Sequence, residues 1–298
     1  MLNESYKGHA PTFVMLLTAM LWGAGFIGTQ MALDSGFSPE LFLTSRFAIA
    51  SVILLIIGKK KIFPLSKKDI LYSIVSGFLL FLGSYTQTIG LTFTTPSNNG
   101  FFTSVYVIIV PLIAWVLHRK QPPVKLWVCG AIALLGLFIL SYQHESGFTA
   151  NVGDLLTLLS AFIFACHYAS LGIISPKVDT LRLTFLQLTF VSIASFVCLL
   201  ILQPSSIEQA DWSSGWVPVI FHAVFPTCLC FFMQFWAQAR ASSSKAAIIL
   251  SGEAFWCAAF SVMFGYELFS FQMIVGGLLI VVAIILLEVE ISNFKRPP

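Results

Sequence analysis

Residues 38–68 read SPELFLTSRFAIASVILLIIGKKKIFPLSKK. Glu40 stands near the start of this stretch, an apolar run interrupted by the single cation Arg46 follows, and five lysines close it. A helix rises 1.5 Å per residue, so about 20 such residues cross a hydrocarbon core of roughly 30 Å, and lysines collect on the cytoplasmic side of short spans. One stretch therefore carries a membrane span, its orientation and a charge inside it.

Outward from there, similar runs recur near 11–32, 38–57, 70–91, 97–117, 124–142, 153–174, 182–203, 216–238, 245–265 and 268–289. The expectation is an all-α integral membrane protein with ten transmembrane helices. Composition agrees, because 57% hydrophobic and 10% charged residues cannot cover a water-soluble domain of 298 residues with solvated groups. The first run follows Lys7, lacks a small-x-small cleavage site and reads as an uncleaved helix. All six cysteines fall inside runs. The close pair Cys228 and Cys230 points to different helix faces without companion ligands, so packing is expected there and no metal or cofactor. A formal charge of +3 is too small to suggest nucleic acid as a partner.

Charge sets the orientation. If the N-terminus is cytoplasmic, the tails and even-numbered connections hold Lys7; Lys59, Lys60, Lys61, Lys67 and Lys68; Arg119, Lys120 and Lys125; Lys177 and Arg182; Arg240 and Lys245; Lys295 and Arg296. That is fifteen of the sixteen Lys and Arg residues, and the opposite loops hold Asp34, Glu40, Glu145, Asp154, Glu208, Asp211 and Glu267 instead. A missed helix would put later basic loops on the wrong side, so the pattern also checks the count. Both termini are expected in the cytoplasm.

The fourth and fifth runs align with the ninth and tenth at an offset of 146, which sets Ser97 on Ser243, Asn99 on Lys245 and Gly130 on Gly276. At slightly different offsets Gln87 in the third run matches Gln234 in the eighth, and Arg46 with its apolar tail matches Gln187 with its own. Five spans per half force the second copy to enter from the opposite side. The halves, 11–142 and 153–289, are then two inverted five-helix repeats, an arrangement in which rocking opens a midplane cavity alternately to either face.

The chain also resembles the drug/metabolite transporter superfamily, specifically the ten-helix EamA type. The residues that carry the likeness are Leu21-Trp22-Gly23 with Phe26; Arg46-Phe47; Thr95-Pro96-Ser97-Asn98-Asn99 leading to Pro111; Gly153-Asp154; and Glu253 followed by Gly265-x-Glu267-x4-Gln272-x3-Gly276. It runs from Pro11 to Leu287. The family often shows Glu-Pro in the ninth helix where this chain has Glu253-Ala254, which removes the proline on which a kink would rest. The resemblance implies export or uptake of small metabolites such as amino acids, amines or nucleobases across the inner membrane.

Ionisable groups are costly in hydrocarbon, so each marks a candidate function. Glu253, about 12 Å into the ninth span, can bind an ammonium group or take up a coupling proton, or it can tether a neighbouring helix. Arg46 can receive a carboxylate, or pack and snorkel. His167 and His222 can relay protons, or serve as hydrogen-bonded packing residues. Helical spacing places Asn99, Phe102 and Tyr106 on one face of the fourth span and Ile249, Glu253 and Trp256 on one face of the ninth, as opposite walls of one cavity. Trp22, Tyr85, Gln87 and Tyr168 add aromatic and amide surface, although with 29 Phe in the chain packing competes for every aromatic. Pro111 and Pro226 are candidate hinges.

No His-Glu-x-x-His, Gly-x-Ser-x-Gly or phosphate-cradling glycine loop is present, which argues against an enzyme and against direct use of ATP. The expected function is therefore a secondary transporter of export type, alternating access around a small zwitterion or amine, driven either by proton coupling, which Glu253 favours, or by facilitated diffusion. The alternative is a facilitative channel or a membrane receptor. A fused repeat already holds both halves of a carrier, so monomer and homodimer stay open.

Overall fold

The computed structural model describes residues 9–119, 121–141 and 151–288, and among these residues there are helices and no strand. Lys7, Lys120, Glu145, Lys295 and Arg296, used above for topology, lie outside them. The helices are α1 (Ala10–Asp34), α2 (Pro39–Ile62), α3 (Lys67–Leu91), α4 (Pro96–Ser104), α5 (Tyr106–His118), α6 (Val124–Ser141), α7 (Val152–Ile174), α8 (Thr180–Leu202), α9 (Ser206–Gln209), α10 (Trp212–His222), α11 (Cys230–Gln238), α12 (Ser243–Leu250), α13 (Glu253–Met263) and α14 (Phe271–Glu288).

Nine helical stretches among the described residues are long and apolar enough to cross a membrane, with α4–α5, α10–α11 and α12–α13 each acting as one. The tenth expected span, 124–142, is the shorter apolar helix Val124–Leu140, so its crossing does not follow from length. Ile56, Ile57, Val116 and Phe271 are each more than 70% exposed on the outside of the bundle, where lipid rather than water is the compatible solvent.

Short polar residues start the helices by accepting the first free backbone N–H groups. Ser38, Thr95 and Ser242 do so for Leu41, Asn98 and Lys245, and Ser66 with Asp69 and Asn151 with Asp154 close reciprocal capping boxes. Asp211 opens α10.

Two spans break at related places. Between α4 and α5 the chain tightens at Val105, whose N–H donates to Phe102 O while its carbonyl accepts from Ile108 N. Between α12 and α13 the same tightening occurs at Ser251–Gly252, through Gly252 N to Ile249 O and Ala254 N to Ser251 O. Neither break coincides with a proline: Pro111 lies inside α5, six residues further on, and Ala254 stands where the proline is missing. Pro226 instead sits in a π-helical turn, Ala223–Leu229, that joins α10 to α11. Proline cannot donate, and the wider turn accommodates that missing bond.

The most extensive packing is between halves: α2 with α8, α3 with α7 and α8, α6 with α14, and α1 with α13, α10 and α11. Glycine permits the closest approaches. A Cβ placed on Gly136 would lie 2.7 Å from Gly276 O, and one on Gly276 would lie 2.5 Å from Gly136 O, so α6 and α14 meet backbone to backbone.

The two ends of the bundle neutralise charge differently. At the end with the basic loops, ion pairs join Arg182 to Asp69 (3.3 Å) and Lys245 to Glu288 (2.7 Å). At the other end the carboxylates accept from hydroxyls: Asp34 from Tyr266 (3.0 Å), Glu40 from Tyr85 (2.7 Å), Asp154 from Thr94 (2.7 Å) and Glu267 from Ser97. With cations kept from that side, neutral donors are what remains to satisfy carboxylates.

Candidate functional site

A cavity of about 550 Å³, counting its mouth, opens between the halves. Trp22, Gly25, Phe26 and Thr29 of α1 line it, as do Arg46 of α2, Ser84 and Gln87 of α3, and Thr103 of α4. From the second half come Phe164 and Tyr168 of α7, His222 of α10, Pro226, Phe231 of α11 and Glu253. Trp22 with Phe26 and Phe164 with Tyr168 are both i, i+4 pairs, so α1 and α7 each present an aromatic strip. The α1 lining lies toward its C-terminal end and the α2 lining toward its N-terminal end, which places the cavity on the side of the acidic loops.

The breaks deliver its acid. Glu253 is the first residue of α13 and Tyr106 the first of α5, and the Tyr106 hydroxyl donates to Glu253 Oε1 at 3.0 Å. Gly23 allows the close fit: a Cβ there would stand 2.8 Å from Glu253 O and from Cys257 N. Behind the acid, the Tyr106 ring packs edge-on against Tyr168 at 4.9 Å. The Tyr168 carbonyl accepts from Ser243 Oγ (2.9 Å) and Gln238 Nε2 (3.2 Å), tying α7 to the ends of α11 and α12.

The base comes from α2. Arg46 Nη1 lies 2.8 Å from His222 Nε2 and 2.9 Å from Nδ1. A guanidinium only donates, so the imidazole must offer it a lone pair. The plane of the guanidinium rests over Phe42 (5.0 Å) and Phe47 (4.7 Å), and its Nε has no hydrogen-bond partner among the described residues. Trp22 Nε1 donates to Pro226 O at 2.9 Å, which fixes the indole against the π turn. Among the described residues neither Arg46 nor Glu253 has an opposite charge within 4.0 Å. Both are buried in the cavity wall.

Of the residues singled out by sequence, the cavity gathers Trp22, Gln87, Tyr168, Glu253, Arg46, His222 and Pro226. The other six candidate site residues lie off its lining. Tyr85 holds Glu40; Asn99 donates to Gln87 O (3.1 Å) and Thr157 Oγ1 (2.7 Å); His167 pairs with Gln187 (2.9 Å); Trp256 stacks on Phe260; Pro111 stays within α5. Tyr106 stands behind Glu253. Helical spacing across 99–106 and 249–256 is interrupted by the two breaks, and Thr103 and Glu253 are what those segments give to the lining. Phe26, Phe164 and Phe231 are lining residues that sequence reasoning did not separate from the other phenylalanines, and it did not single out Ser84 or Thr103. The i, i+4 spacing of Phe26 from Trp22 was the available signal.

A model of the EamA-like transporter family matches residues 10–142 and again 151–289. An uncharacterized transporter of Archaeoglobus fulgidus is 32% identical over 283 residues, which covers 93% of this chain and 85% of that protein. The uncharacterized transporter YetK of Bacillus subtilis is 28% identical over 227 residues, covering 71% and 67%. A crystal structure of a further protein, 16% identical, superposes with a TM-score of 0.76 over 94% of this chain and 96% of its own, which speaks for the fold alone.

Proposed function

The chain belongs to the EamA-like transporter family, and on that premise we propose that it is a secondary carrier that exports a small zwitterion or amine by alternating access. One observation carries this reading: a cavity walled by aromatic rings holds the buried guanidinium of Arg46 and the buried carboxyl of Glu253, which do not pair with each other. Each is left free to meet an outside group of opposite charge. An ammonium group meets Glu253, a carboxylate meets Arg46, and the body of the solute lies against Trp22, Phe26, Phe164 and Tyr168.

The architecture we infer is two inverted five-helix repeats, 11–142 and 153–289, spanning the membrane ten times with both termini in the cytoplasm. Packing supports it. Exchanging halves turns the α1 contacts with α10–α11 and α12–α13 into the α7 contacts with α3 and α4–α5. The breaks at Val105 and Ser251 also fall at the offset of 146 that aligns the repeats. With basic loops inside, the cavity faces outward. A proton arriving from outside reaches Glu253 through it, neutralises the carboxylate and weakens its hold on the solute's ammonium group, so release is outward and export follows the inward proton gradient. No group is assigned a catalytic role, because transport leaves the solute unchanged.

Flux in proteoliposomes tests this, with labelled amino acids, amines and nucleobases, with and without a pH gradient, for wild type and Glu253→Gln. Saturable flux of an amine or amino acid that follows the gradient and collapses in the variant is expected. Unchanged flux in Glu253→Gln would remove the acid from the mechanism, and flux that never saturates would favour a channel.

A further inference from the structure

Gln187 of α8, Gln234 of α11 and His167 of α7 are fully buried, yet they leave polar atoms without partners: both amide atoms of Gln234, Nε2 of Gln187 and Nδ1 of His167. The one bond among them joins His167 Nε2 to Gln187 Oε1 at 2.9 Å. A buried polar group left unpaired is less favourable than an apolar group of the same shape, so three long polar side chains with four unpaired atoms on these helices point to a second state that satisfies them. α11, which carries Gln234, packs against both α7 and α8.

Their positions say what that state is. Arg46 lies seven residues into α2 from Pro39, and Gln187 lies seven into α8 from Thr180. Gln87 stands four before Leu91, the end of α3, and Gln234 stands four before Gln238, the end of α11. α2 begins and α3 ends on the side of the acidic loops, whereas α8 begins and α11 ends on the side of the basic ones. The second pair thus repeats, from the opposite face, the depth at which Arg46 and Gln87 line the cavity. Rings of the cavity wall stand between the two groups: Phe231, with Phe235 at 5.9 Å from it and His167 at 6.1 Å from Phe235, and Tyr168, itself 6.1 Å from His167.

We propose that Gln187, Gln234 and His167 line the inner loading site, a cavity open to the face of the basic loops when the outer one is closed. This rests on the alternating-access reading above. Two amides and an imidazole offer hydrogen bonds to the uncharged polar parts of the solute and lack the charges of the outer site. The site therefore holds a zwitterion or amine less tightly than Arg46 and Glu253 do, so a loaded solute passes on to the outer site.

Site-directed labelling decides it. Gln187→Cys, Gln234→Cys and, in the outer cavity, Thr103→Cys are made in the full chain, placed in membrane vesicles of each orientation and treated with a charged, membrane-impermeant methanethiosulfonate. Wild type, with its six native cysteines, sets the background. Positions 187 and 234 are expected to react at least about tenfold faster from the face of the basic loops, and position 103 from the opposite face, with reaction limited by the fraction of time each side is open. Two inner positions are used so that a folding failure of one variant leaves the other. Cysteines at 187 and 234 that stay unreactive from the basic face, while position 103 reacts from the other, overturn the inner site and leave the outer cavity standing. A cysteine at 103 unreactive from both faces would overturn the carrier reading itself.

Discussion

Arg46 is held by stacking on two phenylalanines and by a bond to His222, and each depends on a flat guanidinium. Lysine retains the charge and loses the plane. Arg46→Lys is therefore expected to raise the half-saturation concentration of the solute by about 10-fold or more, the scale of one charge-assisted hydrogen bond of about 1.5–3 kcal/mol, in flux measured across a concentration series. Gln234→Leu removes two orphaned amide atoms from the core. It should raise the thermal midpoint in detergent, consistent with a penalty of about 1–3 kcal/mol per buried unsatisfied group, and slow flux at the same time. A lower midpoint would mean that the amide has a partner in the resting protein. Sequence singled out Arg46 and Glu253 because a charge inside an apolar run is rare and costly. Phe231 and Thr103 carried no such signal, since nothing in a residue type separates a ring on a cavity wall from one on a neighbouring helix. Tyr106 read as a wall because spacing was extended through a helix that breaks one residue before it.

Among the elements, α1 and α13 meet where a glycine lets them. A Cβ on Gly23 would fall 2.5 Å from Trp256 Cβ and 2.8 Å from backbone atoms of Glu253 and Cys257, and none of these is the tip of a flexible side chain. Gly23→Ala should destabilise by about 1–3 kcal/mol, read as a drop in thermal midpoint, and should displace Glu253 enough to lower flux. Gly28→Ala on the same helix, whose added Cβ meets Phe221 at 3.4 Å and His222 Cδ2 at 3.8 Å, both ordinary contacts, should be neutral or stabilising because alanine favours helix. Equal losses in both would show that α1 is sensitive to any added volume rather than to this contact. The start of α10 adds a pH test. Asp211 accepts from the Ser213 hydroxyl (2.6 Å), the Ser214 hydroxyl (2.7 Å) and Ser213 N (2.9 Å), which hold its carboxyl down to about 2 from an ordinary 3.8. A group so depressed stabilises the fold above its ordinary value and stops doing so as pH falls through 2. The stability difference between wild type and Asp211→Ala should be constant above pH 5 and shrink toward pH 2. Long spans and their caps were legible in sequence, because length, hydropathy and Ser, Thr, Asn or Asp at helix starts are local properties. The breaks at Val105 and Ser251–Gly252 were not, since no proline marks them and the packing of α1 and α7 against them is not local.

For the whole molecule, the described residues support a multi-pass membrane protein, and the number of crossings turns on α6. Val124–Leu140 is an apolar helix of 17 residues that includes Lys125 near its start, or about 25 Å of helix against a core of roughly 30 Å. A bilayer can thin to meet a short span at a modest cost per ångström, and α6 lies against α14, an 18-residue span, with their glycines in backbone contact. If α6 crosses, the ten spans return the chain to the side on which it began. If it does not, the segments after it invert, and Lys177, Arg182, Arg240 and Lys245 move to the side opposite Lys59, Lys60 and Lys61. That inversion would contradict the ion pair between Arg182 of α8 and Asp69 at the start of α3, as well as the bond from Arg182 Nε to Lys61 O at 3.2 Å, because both need the two basic ends on one face. Epitope tags on the N- and C-termini should therefore be reached by antibody together, in inside-out vesicles and not in right-side-out ones. Tags reached from opposite faces would mean that α6 lies along the bundle without spanning it, and the second half could not then be the inverted copy of the first.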